Sequence, residues 1–294
     1  MDLDVWGCPV CFSELSEQDD EISCKTQGHT FHRIEGLPIL VRPKDSPFVN
    51  DSRRDASPWK TTKWAVPREA ILELPYRRQS SWRQKARSFH ELLAILGPPR
   101  GRTLVDVGAG TGWLSYRLAK SGFRCFATDV SSDPDIGLGA ATQFDSTPNR
   151  FERAIATLDC WPFRAESVDI AICNASLHYA ADPRVVIAEA ARVLRPAGSV
   201  VVMNSPVHGS LGSARRGSQD FVRLMKKLGA HGRLIDDHQH LVATVLESWL
   251  RDRFVDVMRH DPKPSFWFDA TRAVKSAILA MELASFPIYE ARVK

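Results

Sequence analysis

From Thr103 onward, short apolar runs alternate with stretches of helical spacing. Thr103–Val107 has the composition of a buried strand and leads into Gly108-Ala109-Gly110-Thr111-Gly112. Trp113–Ser121 carries apolar residues at helical spacing and stops at Gly122, a residue suited to the positive φ of a helix end. Further strands are expected at Phe123–Thr128, Arg153–Thr157, Val168–Cys173 and Ser199–Met203. Pro183–Leu194 reads as an Ala-rich helix ended by Pro196 and Gly198. Residues 213–229, 239–253 and a stretch near 270–283 have helical spacing, and Phe254–Arg259 and Pro287–Val293 complete a set of seven strands. Strands alternating with helices imply an α/β fold. The expected architecture is a Rossmann-like, seven-stranded, mostly parallel sheet with helices on both faces.

The chain before Thr103 is patterned differently. Residues 67–97 carry Ile71, Leu72, Phe89, Leu92, Leu93 and Leu96 at helical spacing, with Pro75 expected to split them into two helices. Residues 42–58, with Pro43, Pro47 and Pro58, read as a linker. Residues 1–41 form a separate compositional unit. The expected division is a metal-binding module at 1–41, a basic linker and helical lid at 42–100, and the α/β domain at 101–294.

Charge sharpens this division. The net charge is +4 over 294 residues, yet residues 1–41 hold two basic and eight acidic side chains, whereas residues 42–102 hold fourteen basic and six acidic. An acidic head is followed by a basic connector. With 44% hydrophobic and 25% charged residues the chain has a globular composition. No apolar run is long enough to span a bilayer, and Met1-Asp2-Leu3-Asp4 has no signal-peptide pattern, so a cytoplasmic protein without membrane contact is expected.

Three of the six cysteines crowd the head. Cys8, Cys11, Cys24 and His29 are spaced Cys-x2-Cys-x12-Cys-x4-His, and three thiolates with one imidazole make a closed tetrahedral zinc site. Four protein ligands leave no open position, so the expected role of Zn²⁺ is structural. Gly28 permits a tight turn beside His29, which is preferred to His32 as the fourth ligand. Cys125, Cys160 and Cys173 stand singly in apolar stretches and read as core residues.

The glycine-rich turn is the strongest chemical signal. Its spacing is Gly-x-Gly-x-Gly with Asp106 two residues before Gly108, and Trp113 stands where the dinucleotide fingerprint needs its last glycine. Gly108, Ala109, Gly110 and Gly112 let a ligand approach the backbone. An acid at position 106 suits a cationic ammonium better than a pyrophosphate. Asp129 closes the second strand, where a carboxylate can accept from both ribose hydroxyls. A nucleoside with a cationic tail and no phosphate is S-adenosylmethionine (SAM), and a nicotinamide cofactor fits poorly.

Residues 103–206 resemble the class I SAM-dependent methyltransferases. Val105–Gly112 matches their first motif and Asp129 their acidic residue after the second strand. Leu158–Phe163 is similar to their adenine-contacting stretch, which implies that Asp159 holds the exocyclic amine. Asn174–Tyr179 looks like their fourth motif, and Leu194–Gly198 resembles the turn before the fifth strand. The resemblance implies methyl transfer from SAM, with Asn174 contacting SAM or the acceptor and His178 as the candidate base. Cys173, with no charged neighbour to activate it, is not expected to act as a nucleophile. Cys24–Leu40 resembles the zinc ribbon of tRNA-methyltransferase activator subunits, with Gln27 where those carry the second Cys of a Cys-x2-Cys pair. Its Gly-His-x-Phe stretch is closer to the zinc knuckle heading bacterial 23S rRNA guanine-N1 methyltransferases.

Two acceptor classes compete. Basic residues interleaved with Trp59, Trp64, Tyr76 and Trp82 fit RNA binding, since phosphate attraction and base stacking act together there. The same aromatics fit the lid of a small-molecule site formed by residues 59–97 and 207–253, the favoured reading. A protein partner docked on the zinc module, and a SAM-binding scaffold without turnover, remain as non-enzymatic alternatives.

Overall fold

A computed structural model describes residues 1–54, 56–62, 65–262 and 282–294 of the chain. Its centre is a seven-stranded sheet made of β1 (Thr103–Val107), β2 (Arg124–Asp129), β3 (Glu152–Ile155), β4 (Val168–Asn174), β5 (Leu194–Met203), β6 (Val255–His260) and β7 (Ile288–Arg292). Their spatial order is β6-β7-β5-β4-β1-β2-β3. The five strands from β1 to β5 are parallel, and β7 runs antiparallel between β5 and β6. All seven expected strands are present. β5 starts at Leu194, earlier than Ser199, because the chain rejoins β4 at Val168 before an irregularity between Leu194 and Ser199.

The period-two alternation of a strand divides the core into two faces. Val105, Val107, Ala171, Cys173, Val200 and Val202 belong to one buried cluster. Their neighbours Leu104, Ile170, Ile172, Val201 and Met203 belong to the other. On the second face lie Phe89, Leu92 and Leu96 of α2 (Ser80–Leu96) and Leu114 and Leu118 of α3 (Trp113–Lys120). On the first face lie Val186, Ile187, Ala190 and Val193 of α4 (Pro183–Val193), joined by Leu246 and Leu250 of α6 (Ala243–Arg251). Between them in sequence, α5 (Leu211–Lys227) buries Ala214 and Met225. The stretch 270–281 of the last expected helix lies outside the described residues.

The segment expected as a linker is helical. Residues 42–58 enter α1 (Ser46–Arg54) and a short helix at Ala56–Lys60. Pro43 opens a single helical turn and Pro47 stands in the first turn of α1, where a missing N–H breaks no intrahelical bond. The prolines that read as loop markers are therefore helix starts. Val49 anchors the segment in the core cluster that also holds Val66, Ile71 and Trp82. Farther on, a 3₁₀ helix at Arg68–Glu73 gives way at Leu74-Pro75 to α2, so Pro75 does divide this region. Among the described residues no helix is long and apolar enough to cross a membrane.

The head is a three-stranded antiparallel ribbon, Leu15–Gln18, Glu21–Cys24 and Thr30–Phe31, with Gly28 at φ +67° in its second turn. It is welded to the β3 edge. Ile39 bridges Ile155 in parallel, and Leu40 N donates to Ile155 O at 2.9 Å. Trp6 is fully buried, stacks on Phe163 with ring centroids 4.7 Å apart, and donates from Nε1 to Glu152 Oε2 at 2.7 Å. Trp6, Leu15, Ile22 and Leu40 share one cluster with Phe126 and Ala154, so the head covers β2 and β3 on the first face. Each such side chain contributes roughly 1.5–3 kcal/mol through burial. Trp6→Ala should therefore lower stability by about 3–5 kcal/mol in denaturant unfolding, as a large cavity opens under the head.

Candidate cofactor and acceptor site

Strand order reverses between β1 and β4, since the chain proceeds outward to β2 and β3 on one side and to β5 on the other. Open α/β sheets bind ligands in the crevice that such a reversal leaves at the carboxyl ends of the strands. The turn after β1 opens that crevice here. Gly108 (φ +71°) takes a conformation strained for any side chain, and a Cβ on it would collide with Ser176. Ser176 Oγ holds the two strand ends together by donating to Val107 O at 2.6 Å. Gly110 (φ +54°) is less crowded, a built Cβ meeting only Ile136 O in ordinary contact at 3.7 Å.

A cavity of about 550 Å³ lies over this turn, within the range of small-ligand and cofactor sites. Gly108, Ala109, Gly110, Asp129, Asp159 and Asn174 all line it. Gly112 does not; at φ +74° it turns the chain into α3, and the Phe151 ring fills the space of its absent side chain. Asp129 accepts from Gly110 N on Oδ2 (2.8 Å) and from Ser131 N on Oδ1 (2.9 Å). Burial raises its pKa above the ordinary carboxylate range, against the pull of these backbone bonds. Asp159 Oδ2 lies 3.1 Å from Arg42 Nη2 and 3.6 Å from Arg233 Nη2. Its Oδ1 is buried with no hydrogen-bond partner among the described residues. Burial opposes its ionisation, but the bond from Thr157 and the two guanidinium groups outweigh it and lower the pKa. Asn174 Oδ1 accepts from Asn204 Nδ2 at 2.8 Å.

Besides Gly112, two more expected residues stand outside the cavity wall. Asp106 is wholly buried and outside the cavity wall; Ser115 Oγ donates to its Oδ2 at 2.8 Å, while Oδ1 has no partner among the described residues. His178, the candidate base, is not in the cavity wall either. Its Nδ1 is 3.0 Å from Ser205 Oγ, and its ring packs against Tyr179 and His238. Burial and the nearby imidazoles of His238 and His240 and the Lys85 ammonium hold its pKa well below the ordinary value. The side chain of residue 178 follows the short helical turn Leu177–Tyr179 into the protein, which puts Tyr179 at the cavity instead. Cys173 is a buried core thiol pushed up to about 12 by burial, too weakly acidic to act as a nucleophile.

Much of the opposite wall comes from the segments expected as a lid, 59–97 and 207–253, although Phe48 stands in the stretch read as a linker and Lys85 and Arg233 were not singled out. Phe48, Trp59, Trp82 and Lys85 line it from the helical segment before β1, and Arg233 from the segment after α5. Trp82 and Lys85 stand three apart on α2, the spacing that places two side chains on one helical face. That spacing was the available signal. Of the other aromatics in the basic connector, Tyr76 is exposed and Trp64 lies outside the described residues.

In the head, the ligand atoms of Cys8, Cys11, Cys24 and His29 all lie within 4.8 Å of one another. Cys8 Sγ is 3.5 Å from His29 Nδ1, and Cys11 Sγ is 3.4 Å from Cys24 Sγ. Val10 N and Gln27 N donate to the sulfurs of Cys8 and Cys24, both at 3.4 Å. His32 is exposed and outside the group. The head also grips the loop that carries Asp159: Gly7 N donates to Pro162 O (2.9 Å), Arg164 N to Val5 O (3.0 Å) and Cys160 Sγ to Pro9 O (3.1 Å).

The burial of Asp106 has a measurable consequence. Its pKa rises from 3.8 to about 7, chiefly by burial and further by the charge of Asp129, against the bond from Ser115. The folded chain thus keeps a proton that the unfolded chain releases, and stability falls as pH rises from about 4 to about 7. Asp106→Asn should flatten that fall by the order of a few kcal/mol, read from urea unfolding at pH 5 and pH 7.5.

Comparison with known proteins bears on the same region. Residues 105–202 match the family described as a methyltransferase domain. Over 101 residues the chain is 37% identical to the malonyl-[acyl-carrier protein] O-methyltransferase of Hahella chejuensis, covering 33% of this chain and 34% of that one. It is 31% identical over 121 residues to the tRNA 5-carboxymethoxyuridine methyltransferase of Escherichia coli, covering 41% and 46%. The chain thus spans less than half the length of these two relatives. In fold it is similar to a Haemonchus contortus phosphoethanolamine N-methyltransferase 2 solved with S-adenosylhomocysteine, with a TM-score of 0.57 at 16% identity over 87% of this chain and 62% of that one. The stretch that builds the crevice at the end of β1 is thus the part of the chain that is similar to a methyltransferase domain.

Proposed function

We propose that this chain transfers a methyl group from SAM to a small-molecule acceptor and carries one structural zinc ion in its head. The observation that carries the reading is the convergence of the Gly108–Gly110 turn, Asp129 and Asp159 on one cavity. When bound, SAM supplies a methyl group already activated by its sulfonium. The chain's task is to bind, align and keep out water, and alignment can lower the barrier by roughly 7–11 kcal/mol.

Each part of the cavity fits a piece of that cofactor. Asp129 is held by two backbone N–H groups, one on each oxygen, and retains capacity to accept from the two ribose hydroxyls. Asp159 Oδ1 has no partner within the described residues and can accept from the adenine amine, while Arg42 fixes the other oxygen. Behind the cavity wall, Asp106 Oδ1 likewise has no partner among the described residues, and its position two residues before Gly108 suits an ammonium group held at the glycine turn. Phe48, Trp59 and Trp82 form an apolar wall that sheds water.

The favoured acceptor follows from how the basic connector is used. Arg42 pairs with Asp45 and Asp159, Lys60 with Asp133 and Asp135, and Arg77 with Glu73. Arg102 donates to backbone carbonyls of Leu96, Pro98 and Pro99. These cations serve the chain's own structure, and Trp59 and Trp82 line the cavity. Base stacking on RNA would need such rings at an open surface. Among the relatives, one name specifies a malonyl group on a carrier protein and another a modified uridine of tRNA, so acceptor class rests on this local evidence.

For zinc, three thiols and an imidazole within 4.8 Å are the donor set of a closed structural site. The backbone N–H groups aimed at the sulfurs of Cys8 and Cys24 suit thiolates. Cys8, Cys11, Cys24 and His29 would hold the ion, whose contribution is to fold the head over β3.

Two measurements check this. Calorimetric titration with S-adenosylhomocysteine should give micromolar binding that Asp129→Ala weakens at least tenfold; no binding by the folded, zinc-loaded chain would leave a scaffold role in front. Metal analysis should find one zinc per chain, and its removal by a chelator should lower the melting temperature by several degrees, with recovery on adding Zn²⁺.

A further inference from the structure

Among the described residues that line the cavity, one half-buried cation is left unused by the reading above, in contrast to the exposed Lys44. Asp129 is satisfied by backbone N–H groups, Asp159 by Arg42 and Arg233, and Asp135 by Lys60. Lys85 has no such counterpart. It reaches the cavity from α2, half-buried, with Nζ 4.3 Å from the centroid of the Trp82 ring. Among the described residues no carboxylate stands within ion-pair distance of it. A cation above an aromatic face gains some attraction from the ring, but far less than it loses when water is replaced by apolar walls. Burial alone pulls its pKa down to about 8, so an anion arriving there would find an ammonium that nothing else neutralises.

The surroundings of Lys85 are aromatic. Trp59 and Tyr179 both line the cavity and meet edge to face, with ring centroids 5.9 Å apart. Tyr179 in turn packs on His178, whose charge state responds to the Lys85 ammonium, so the lysine and these rings occupy one region. The rings offer flat apolar surface, and the ammonium offers one strong polar anchor. Ligand sites commonly combine these two elements, the apolar area supplying affinity and the polar group fixing orientation.

We infer that Lys85 is the specificity-determining residue of the acceptor site, and that this site takes a small aromatic molecule bearing an anionic group, the anion on the Lys85 ammonium and the ring among Trp59, Trp82 and Tyr179. The inference rests on the methyltransferase reading only for the word acceptor; the subsite itself is a statement about charge and shape.

The test compares 4-fluorobenzoate with 4-fluorobenzamide, nearly the same shape with and without charge, by ¹⁹F NMR titration of the full chain loaded with S-adenosylhomocysteine. The benzoate should bind about tenfold or more tightly than the amide, as a charge-assisted hydrogen bond provides. Lys85→Met should erase the preference while leaving the affinity for S-adenosylhomocysteine within about twofold, and Lys85→Arg should keep it. Lys85→Gln serves as the second neutral variant, each variant being checked by its melting curve. Equal binding of the two probes, no binding of the benzoate, or a preference that survives in both neutral variants would overturn the inference. Should the chain fail to bind S-adenosylhomocysteine, the same titrations without it separate the two ideas. An anion preference lost in Lys85→Met would then uphold the subsite while the methyltransferase reading falls.

Discussion

The close approach of the ends of β1 and β4 is the constraint on which the rest of this structure depends. Ser176 donates to Val107 O and lies where a side chain on Gly108 would have to go. With any residue larger than glycine the two strand ends would separate, and the turn would lose its positive φ. The crevice exists because the backbone is bare at Gly108 and Gly110 and because strand order reverses there. Asp129 then caps the turn from β2 by accepting from Gly110 N, so the carboxylate that faces the cavity also holds the turn in shape.

A second dependence runs from the head to the cavity. The loop carrying Asp159 has little regular structure of its own, and the head holds it through Gly7, Val5 and Pro9 while Arg42, just beyond the ribbon, holds the carboxylate. Trp6 adds a buried stack on Phe163 at the end of the same loop. A metal bound to Cys8, Cys11, Cys24 and His29 would thus act on the cavity indirectly, by keeping rigid the body against which the loop is set. Cys8 and Cys24 are themselves in the buried cluster that contains Trp161 and Phe163, so the Cys/His group, the head and the loop share one packed core.

Electrostatics in the cavity follow from burial. Burial drives the carboxylate of Asp129 in the cavity wall, and that of Asp106 behind it, toward neutrality, and the charge of Asp129 adds to the effect on Asp106. At the opposite wall Lys85 is driven the other way by the same cause. The cavity wall therefore carries Asp129 at its glycine end and the Lys85 ammonium at its aromatic end, a polarity that orients a ligand.

Much of this was legible in the sequence, because it depends on neighbours along the chain. Strand and helix alternation, the glycine spacing and the Cys-x2-Cys spacing are all local patterns, and all seven strands and the clustering of Cys8, Cys11, Cys24 and His29 came from them. Positions that depend on contacts between distant residues were not legible. Proline count marked residues 42–58 as a linker, yet Val49 is drawn into the core and the prolines begin helices. His178 has the right chemistry for a base, but a three-residue helical turn points it at Ser205, a residue 27 positions away. Lys85 looked like one cation among fourteen, and only the packing of α2 over the crevice removes its water and gives it a role. Local sequence specifies which backbone can form and which groups it carries; whether a group faces solvent, core or ligand is decided by what the rest of the chain packs against it, since burial sets both its charge state and its partners.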